Sequence, residues 1–209
     1  MISLLIFDFD GTLVNSKNVV VELLNDVSKK YGLSLDNNFF HHLGDENPLN
    51  MIKNLGFNNK KILEIVKEIE IALLNNYGKI RLNKGVKELE KIKIPKVILS
   101  NSPKEYIEKI LLNNDIKFFD EIYGSDDFEN KKSKMKKIIK KYNVKSKKVL
   151  YVDDRAIGVL LAKKFSCLSV AVSNKYSWSE RRELIESNPD FLIKNIADIV
   201  KIVKKLNLD

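Results

Sequence analysis

Short apolar runs recur along the chain and are separated by segments with helical spacing. The runs show little alternation between apolar and polar residues, which is typical of strands buried on both faces of a parallel sheet. They occupy residues 2–7, 96–99, 121–123, 149–152, 168–172 and 191–193. The pattern therefore predicts strands that lie in the middle of the protein.

Helices are predicted between these runs, over residues 131–142, 157–165, 178–186 and 197–206. A further helix is predicted in the sequence SPKEYIEKILLNN, with Ser102 as the N-cap and Pro103 as the first helical residue. Strands that alternate with helices predict right-handed crossovers. The predicted fold class is therefore α/β, with a Rossmann-like, doubly wound and mainly parallel sheet.

The pattern changes between residues 15 and 81, where strand-like runs disappear. Helical spacing predicts helices over about 19–31 and 60–76, with shorter ones near Phe39 and over 49–55. This segment reads as an all-helical insert that interrupts the α/β pattern directly after its first strand.

The chain therefore divides into a Rossmann-like core, residues 1–14 and 82–209, and a small helical cap domain, residues 15–81. Ligands of open α/β sheets bind outside the carboxyl ends of the strands. We expect an insert that follows the first strand to cover that edge of the sheet, where it can act as a lid on a bound ligand.

The composition is that of an ordinary globular protein, since 44% of the 209 residues are hydrophobic and 31% are charged. No apolar run is long enough to span a membrane, and the N-terminus lacks a secretory signal pattern. The single cysteine, Cys167, cannot form an internal disulfide, which predicts a cytoplasmic protein.

The net charge of +9 raises the question of a nucleic-acid partner. However, 33 of the 37 basic residues are Lys. Arg is the side chain better suited to bidentate contacts with phosphate. We therefore expect a solvated basic surface and not a nucleic-acid interface.

Polar residues follow several of the predicted strands at their carboxyl ends. Asp8 and Asp10 follow the first strand, VDD (152–154) ends another, and SN (100–101) ends a third. Carboxylates so close together repel each other unless a cation lies between them or one of them holds a proton. Oxygen ligands suit Mg²⁺, and Mg²⁺ in turn suits a phosphorylated substrate.

Four short motifs resemble those of the haloacid dehalogenase-like hydrolases in their order and spacing: DFDGT (8–12), LSN (99–101), a lysine before the next helix, and VDD (152–154). The resemblance covers essentially the whole chain, and the helical insert is similar to the family's small cap domain. The chain looks most similar to the phosphatases of the phosphoglycolate phosphatase and beta-phosphoglucomutase type. This resemblance implies a Mg²⁺-dependent phosphatase that acts on a small phosphorylated metabolite through an aspartyl-phosphate.

The resemblance also implies a role for each motif residue. Asp8 would be the nucleophile and a metal ligand. Asp10 would act as general acid and base with a raised pKa, and its backbone carbonyl would bind the metal. Asp154 would be the remaining protein ligand. The residues implied to hold the phosphoryl oxygens, or the loop around them, are Gly11, Thr12, Ser100, Asn101 and Lys131.

Two features of these motifs leave alternatives open. The family's spacing favours Lys131 as the active-site lysine, but Lys132 and Lys134 lie in the same turn. Most relatives carry a further acid where this chain has Gly158. Either Asp153 supplies part of the missing charge, or the metal binds more weakly.

The substrate and the oligomeric state also stay open. Specificity would come from cap residues such as His41, His42 and Asn47, which obey no known spacing rule. A sugar phosphomutase that uses the same phosphoaspartate is the main alternative. A phosphatase acting on nucleic-acid ends and a nucleic-acid-binding protein are further alternatives, and the sequence is compatible with a monomer or a homodimer.

Overall fold

The computed structural model describes residues 1–43 and 58–208. A parallel sheet in the order β5-β4-β1-β6-β7-β8 lies at its centre, and β2 and β3 form a separate antiparallel ribbon. The strands are β1 (Leu4–Phe7), β2 (Val14–Asn15), β3 (Arg81–Leu82), β4 (Lys96–Leu99), β5 (Glu121–Tyr123), β6 (Val149–Asp153), β7 (Leu168–Val172) and β8 (Phe191–Ile193).

Helices lie on both faces of this sheet and in the insert. The α-helices are α1 (Lys17–Lys30), α2 (Asn37–His42), α3 (Asn59–Asn76), α4 (Lys104–Asn113), α5 (Lys131–Lys141), α6 (Ala156–Lys164), α7 (Arg181–Glu186) and α8 (Asp198–Leu208). The 3₁₀ helices are Tyr77–Lys79, Val86–Lys91, Ser125–Asp127 and Ser146–Lys148. Within the described ranges, no helix is both long and apolar enough to cross a lipid bilayer.

Apolar side chains cover both faces of the central strand. Leu5 and Phe7 pack with α4 and α8 on one face, whereas Leu4 and Ile6 pack with α5 and α6 on the other. Successive side chains of a strand point to opposite faces, so a strand covered on both sides needs apolar residues at every position. This arrangement confirms the predicted doubly wound α/β fold.

The chain runs from β1 to β4 and β5 on one side of β1, and then returns to build β6, β7 and β8 on the other side. The strand order thus reverses at β1. Open α/β sheets bind their ligands at such a switch point, beyond the carboxyl ends of the strands. Residues that follow β1 therefore occupy the edge where a ligand is expected.

The insert packs as a small helical unit over that edge. Its helices α1 and α3 share an apolar cluster that contains Val27, Ile62 and Ile65. The β2–β3 ribbon, which pairs Val14 with Leu82, connects the insert to the core. Sequence analysis predicted no strand there, because two residues are too few to show an alternation. The helix predicted over 49–55 lies outside the described residues.

The start of α4 differs from the prediction by one residue. Pro103 occupies the N-cap position, and the helix begins at Lys104. Ser102, which was predicted to cap this helix, instead donates its hydroxyl to Oδ2 of Asp10 at 2.5 Å. A long-range contact with the sheet edge therefore replaces a local cap.

The buried position of β1 predicts the effect of truncating its side chains. Leu5 is fully buried, whereas Leu63 on α3 is 62% exposed. We expect Leu5→Ala to lower the free energy of unfolding by about 2–5 kcal/mol, because it leaves a cavity in the core. The matched control, Leu63→Ala, should change it by less than about 0.5 kcal/mol. Urea denaturation followed by circular dichroism measures both, and equal losses would contradict the assigned core.

Candidate active site

Acidic side chains meet where β1 and β6 end side by side. These strands are parallel neighbours, and the backbone N–H of Asp8 donates to the carbonyl of Val152 at 2.9 Å. Carboxylate oxygens of Asp8, Asp153 and Asp154 all lie within 4.8 Å of one another, and the three side chains are buried. We call these three residues the acidic cluster.

The first motif forms a tight loop against Asp154. Gly11 has a φ of +79°, and a Cβ at this position would lie 2.2 Å from Oδ2 of Asp154 and 2.7 Å from Cδ1 of Trp178. Only glycine combines this backbone conformation with such a close approach. The N–H of Gly11 donates to the carbonyl of Val14 at 2.9 Å, so the turn itself uses this donor.

The side chain of Thr12 contacts Asp154 and does not line the cavity. It is fully buried, and its hydroxyl donates to Oδ1 of Asp154 at 2.9 Å. The side-chain amide of Asn83 donates to the carbonyls of Gly11 and Thr12 at 2.7 and 2.9 Å. Thr12 thus lies where the role expected of it, support of this loop, places it, and the expected contact of the Gly11 region with the phosphoryl group stays a prediction.

Asp154 is held by two donors from distant parts of the chain. Besides Thr12, the backbone N–H of Trp178 donates to its Oδ2 at 2.6 Å. The helix predicted from residue 178 begins instead at Arg181 as α7, with Glu180 at the N-cap and the Glu183 side chain accepting from the backbone N–H of Glu180. Burial raises the pKa of Asp154 well above its usual value, and the charges of Asp153 and Asp8 raise it further.

Asp153 belongs to the same cluster, although the sequence left its role open. The Tyr151 hydroxyl and the backbone N–H of Arg155 each donate to it at 2.9 Å. Burial, followed by the charge of Asp8, raises the pKa of Asp153 to about 6. Three acids so close together and so deeply buried are expected to share a cation or a proton.

Gly158 explains how Asp153 fits into this position. A Cβ on Gly158 would lie 2.1 Å from Oδ2 and 2.2 Å from Cγ of Asp153. An acid at position 158, as in most relatives, would therefore be incompatible with this placement of Asp153. Of the two alternatives left open by the sequence, the geometry favours the one in which Asp153 supplies the missing charge.

Lys131, the first residue of α5, brings an ammonium group into the cluster. Its Nζ lies 2.5 Å from Oδ1 of Asp8 and 3.9 Å from Oδ2 of Asp153. Burial by itself lowers the pKa of Lys131, but the two carboxylates outweigh this effect and raise it. Lys134 instead lies over the ring of Tyr123, and Lys132 is exposed beside Lys164.

Asp10 contacts the segment that leads into α4. Ser102 donates its hydroxyl to Oδ2 at 2.5 Å, and the Tyr106 hydroxyl lies 3.4 Å from Oδ1. Burial raises the pKa of Asp10, although the hydroxyl of Ser102 acts in the opposite direction. Sequence reasoning missed Ser102 and Tyr106 because their patterns, a helix cap and a core stripe, have common structural explanations.

A cavity of about 120 Å³ opens from these residues toward the insert. Asp8, Asp10 and Lys131 line this cavity together with Ser100 and Asn101, so the structure brings these predicted site residues together. Among the cap residues named as specificity candidates, His42 is exposed. Asn47 and the side chain of His41 lie outside the described part of the structure.

The acidic cluster is suited to a divalent cation. Its donors are carboxylate oxygens, which Mg²⁺ and Ca²⁺ prefer, and each lies within reach of a shared point. Thr12, Trp178 and Tyr151 hold the carboxylates in place, which is the kind of support that orients metal ligands. The residues present therefore fit a metal ion.

Comparisons with known proteins agree with this geometry. A family model described as haloacid dehalogenase-like hydrolase matches residues 5–172. A phosphoglycolate phosphatase from Synechococcus elongatus is 23% identical over 208 residues, which are 97% of each chain. One from Photorhabdus laumondii is 24% identical and covers 94% of this chain and 90% of that one. A haloacid dehalogenase-like family protein from Streptococcus pneumoniae has the same fold, with a TM-score of 0.79, 18% identity and coverage of 97% and 98%.

The close contact at Gly158 predicts the effect of a single added methyl group. We expect Gly158→Ala to displace Asp153 and to weaken divalent-metal binding by about 10–100-fold, the range for changes that disturb ligand orientation. Gly78→Ala is the matched control, because no heavy atom lies within 4 Å of its added Cβ. Titration calorimetry with Mn²⁺ measures the affinities. Unchanged affinity in Gly158→Ala would refute the link between Gly158 and Asp153.

Proposed function

Since the chain belongs to the haloacid dehalogenase-like hydrolase family, we propose that it is a Mg²⁺-dependent phosphatase that hydrolyses a small phosphorylated metabolite. The observation that carries this proposal is the position of Asp8. Its carboxylate lies at the base of the cavity, 2.5 Å from the ammonium group of Lys131 and next to two further buried acids. A nucleophile, a cation and a metal-binding set therefore meet at one point.

In the first step, a carboxylate oxygen of Asp8 attacks phosphorus and the ester P–O bond breaks. The leaving alkoxide takes a proton from Asp10, whose raised pKa favours the protonated form that this step requires. The product is an aspartyl-phosphate on Asp8 and a free alcohol. Ser102 and Tyr106 orient the acid during the transfer.

In the second step, water attacks the phosphorus of the aspartyl-phosphate. Asp10, now deprotonated, takes a proton from this water while the bond between phosphorus and Asp8 breaks. Inorganic phosphate leaves, and both acids return to their starting states. Asp10 thus serves first as the acid and then as the base, and it regains from water the proton that it gave to the alkoxide.

Electrostatics make this site suitable for a phosphoryl group. Lys131 offsets the negative charge that Asp8 shares with the phosphoryl oxygens. A bound Mg²⁺, held by Asp8, Asp153, Asp154 and the backbone carbonyl of Asp10, would supply Lewis-acid stabilisation of the same oxygens. Ser100 and Asn101 line the base of the cavity, where they can donate hydrogen bonds to the substrate phosphate.

The names of the curated relatives support a phosphatase, because these proteins are described as phosphoglycolate phosphatases. A cytoplasmic location is part of the same proposal, since the single cysteine, Cys167, is a buried free thiol. For the oligomeric state, the proposal is a monomer or a homodimer.

Removal of the nucleophile gives the most direct test of the proposed function. We expect Asp8→Asn to remain folded and to release phosphate at least about a thousandfold more slowly, because a neutral amide cannot form the aspartyl-phosphate. Asp115→Asn is the control, since this residue has a φ of +56° that Asn tolerates and an exposed side chain. A screen of phosphorylated metabolites with and without Mg²⁺ measures the rates. Equal activity of the wild type and Asp8→Asn would refute the proposal.

The lysine assignment has its own test. We expect Lys131→Met to lower kcat by about 100–1000-fold, the range for the loss of one group that stabilises transition-state charge. Lys132→Met removes an adjacent ammonium group that lies outside the site and should leave kcat within about twofold of the wild type. Comparable losses in both variants would exclude a specific role for Lys131.

A further inference from the structure

The cavity above Asp8 has two chemically different ends. The core supplies its charged and polar residues, including Asp8, Lys131 and Arg155. The insert supplies ten of the described lining residues, and nine of these are apolar. The exception is Ser28. The end of the cavity that faces away from the nucleophile is therefore an apolar wall.

Residues from three helices of the insert form this wall, so it is not the apolar face of a single helix. Leu24 belongs to α1, Phe39 to α2 and Ile69 to α3. Phe39 and Ile69 remain partly exposed although they pack within a folded unit. Apolar surface that lines a pocket next to catalytic groups is typical of a site that covers an apolar part of a ligand.

The cations of the cavity lie at its other end. Lys131 is bound to Asp8, and the guanidinium of Arg155 lies 5.8 Å from the ring centre of Trp178. Both residues belong to the core, where the phosphoryl group is expected. Among the described lining residues of the insert there is no Lys, Arg or His. Against the described part of the insert, a second anionic group on the substrate would therefore meet an apolar wall, which is unfavourable without a partner.

The size of the cavity limits the ligand. Its volume of about 120 Å³ is close to that of an apolar protein cavity of about 150 Å³ that is able to hold benzene. Because the phosphoryl group takes up part of this volume, the organic part of the substrate is smaller than a benzene ring, about the size of a short alkyl chain.

We propose that the substrate is a phosphate monoester whose organic part is small, uncharged and apolar, in contrast to phosphoglycolate, whose organic part carries a carboxylate. This inference rests on the proposed phosphatase function and names the substrate class of the same site. The apolar wall of the insert selects the organic part, and the core holds the phosphoryl group.

A pair of esters with the same number and connectivity of non-hydrogen atoms tests the inference. Isobutyl phosphate and 2-phosphoglycolate both carry a CH₂ group followed by a branched carbon with two terminal atoms, but only the second has a carboxylate. We expect wild-type kcat/KM for isobutyl phosphate to exceed that for 2-phosphoglycolate by at least tenfold, with Mg²⁺ present. Any lower ratio, including no turnover of isobutyl phosphate, overturns the inference.

A positive charge added to the apolar wall tests the inference independently, through the preference between the two esters. Ile69→Arg places a cation among the lining residues of α3, so the ratio of the two kcat/KM values should shift at least tenfold toward 2-phosphoglycolate. Ile71→Arg is the control on the same helix, because Ile71 is 47% exposed and does not line the cavity. An equal ratio in both variants overturns the inference. Should Ile69→Arg fail to fold, the wild-type ratio alone decides.

The same assay separates the inference from the function on which it rests. Phosphate release that depends on Asp8 but favours 2-phosphoglycolate overturns the substrate class alone. No Asp8-dependent release from any ester overturns the proposed phosphatase and the substrate class together.

Discussion

The mutual repulsion of buried carboxylates at the ends of β1 and β6 is the constraint on which this structure depends. Parallel strands that lie side by side bring Asp8, Asp153 and Asp154 within 4.8 Å of one another, and none of the three side chains is exposed to any large extent. Such an arrangement is unfavourable unless positive charge is close by. Lys131 supplies part of this charge, and a divalent cation would supply the rest.

Many features that look unrelated in the sequence serve this one cluster. Gly11 and Gly158 each lack a side chain where an added Cβ would collide with an acid of the cluster. Thr12 and Trp178 donate hydrogen bonds to Asp154 from opposite parts of the chain. The carboxylates of the acidic cluster are thus held in place by contacts from several segments of the chain, which is how a fixed site geometry is maintained.

The core supplies polar residues to the cavity and the insert supplies apolar ones, and this difference follows from the topology. Polar side chains follow the strands of the core at their carboxyl ends. These ends face the crevice where ligands of open α/β sheets bind. The insert leaves and re-enters the core through the β2–β3 ribbon, so its apolar faces cover the same crevice. In the proposed function, the core would therefore carry out the phosphoryl chemistry and the insert would select the organic part.

The sequence predicted the strands and the position of Asp8 because both depend on local patterns, an apolar run and the acids that end it. The resemblance to the family favoured Lys131 over Lys132 and Lys134, and of these three lysines Lys131 is the one that lies beside Asp8. The pairing of Asp153 with Gly158 and the contact of Ser102 with Asp10 were not predictable, because each depends on side-chain packing between segments. The start of α4 was displaced for the same reason, since Ser102 donates to Asp10 instead of capping the helix.

The most direct measurement of the central claim is a crystal structure of the wild-type protein grown with Mn²⁺ and beryllium trifluoride, an analogue of the phosphoryl group on an aspartate. The account predicts anomalous scattering from Mn²⁺ between the carboxylates of the acidic cluster, with the trifluoride attached to Asp8. Mn²⁺ bound elsewhere, or the trifluoride on a different side chain, would contradict it.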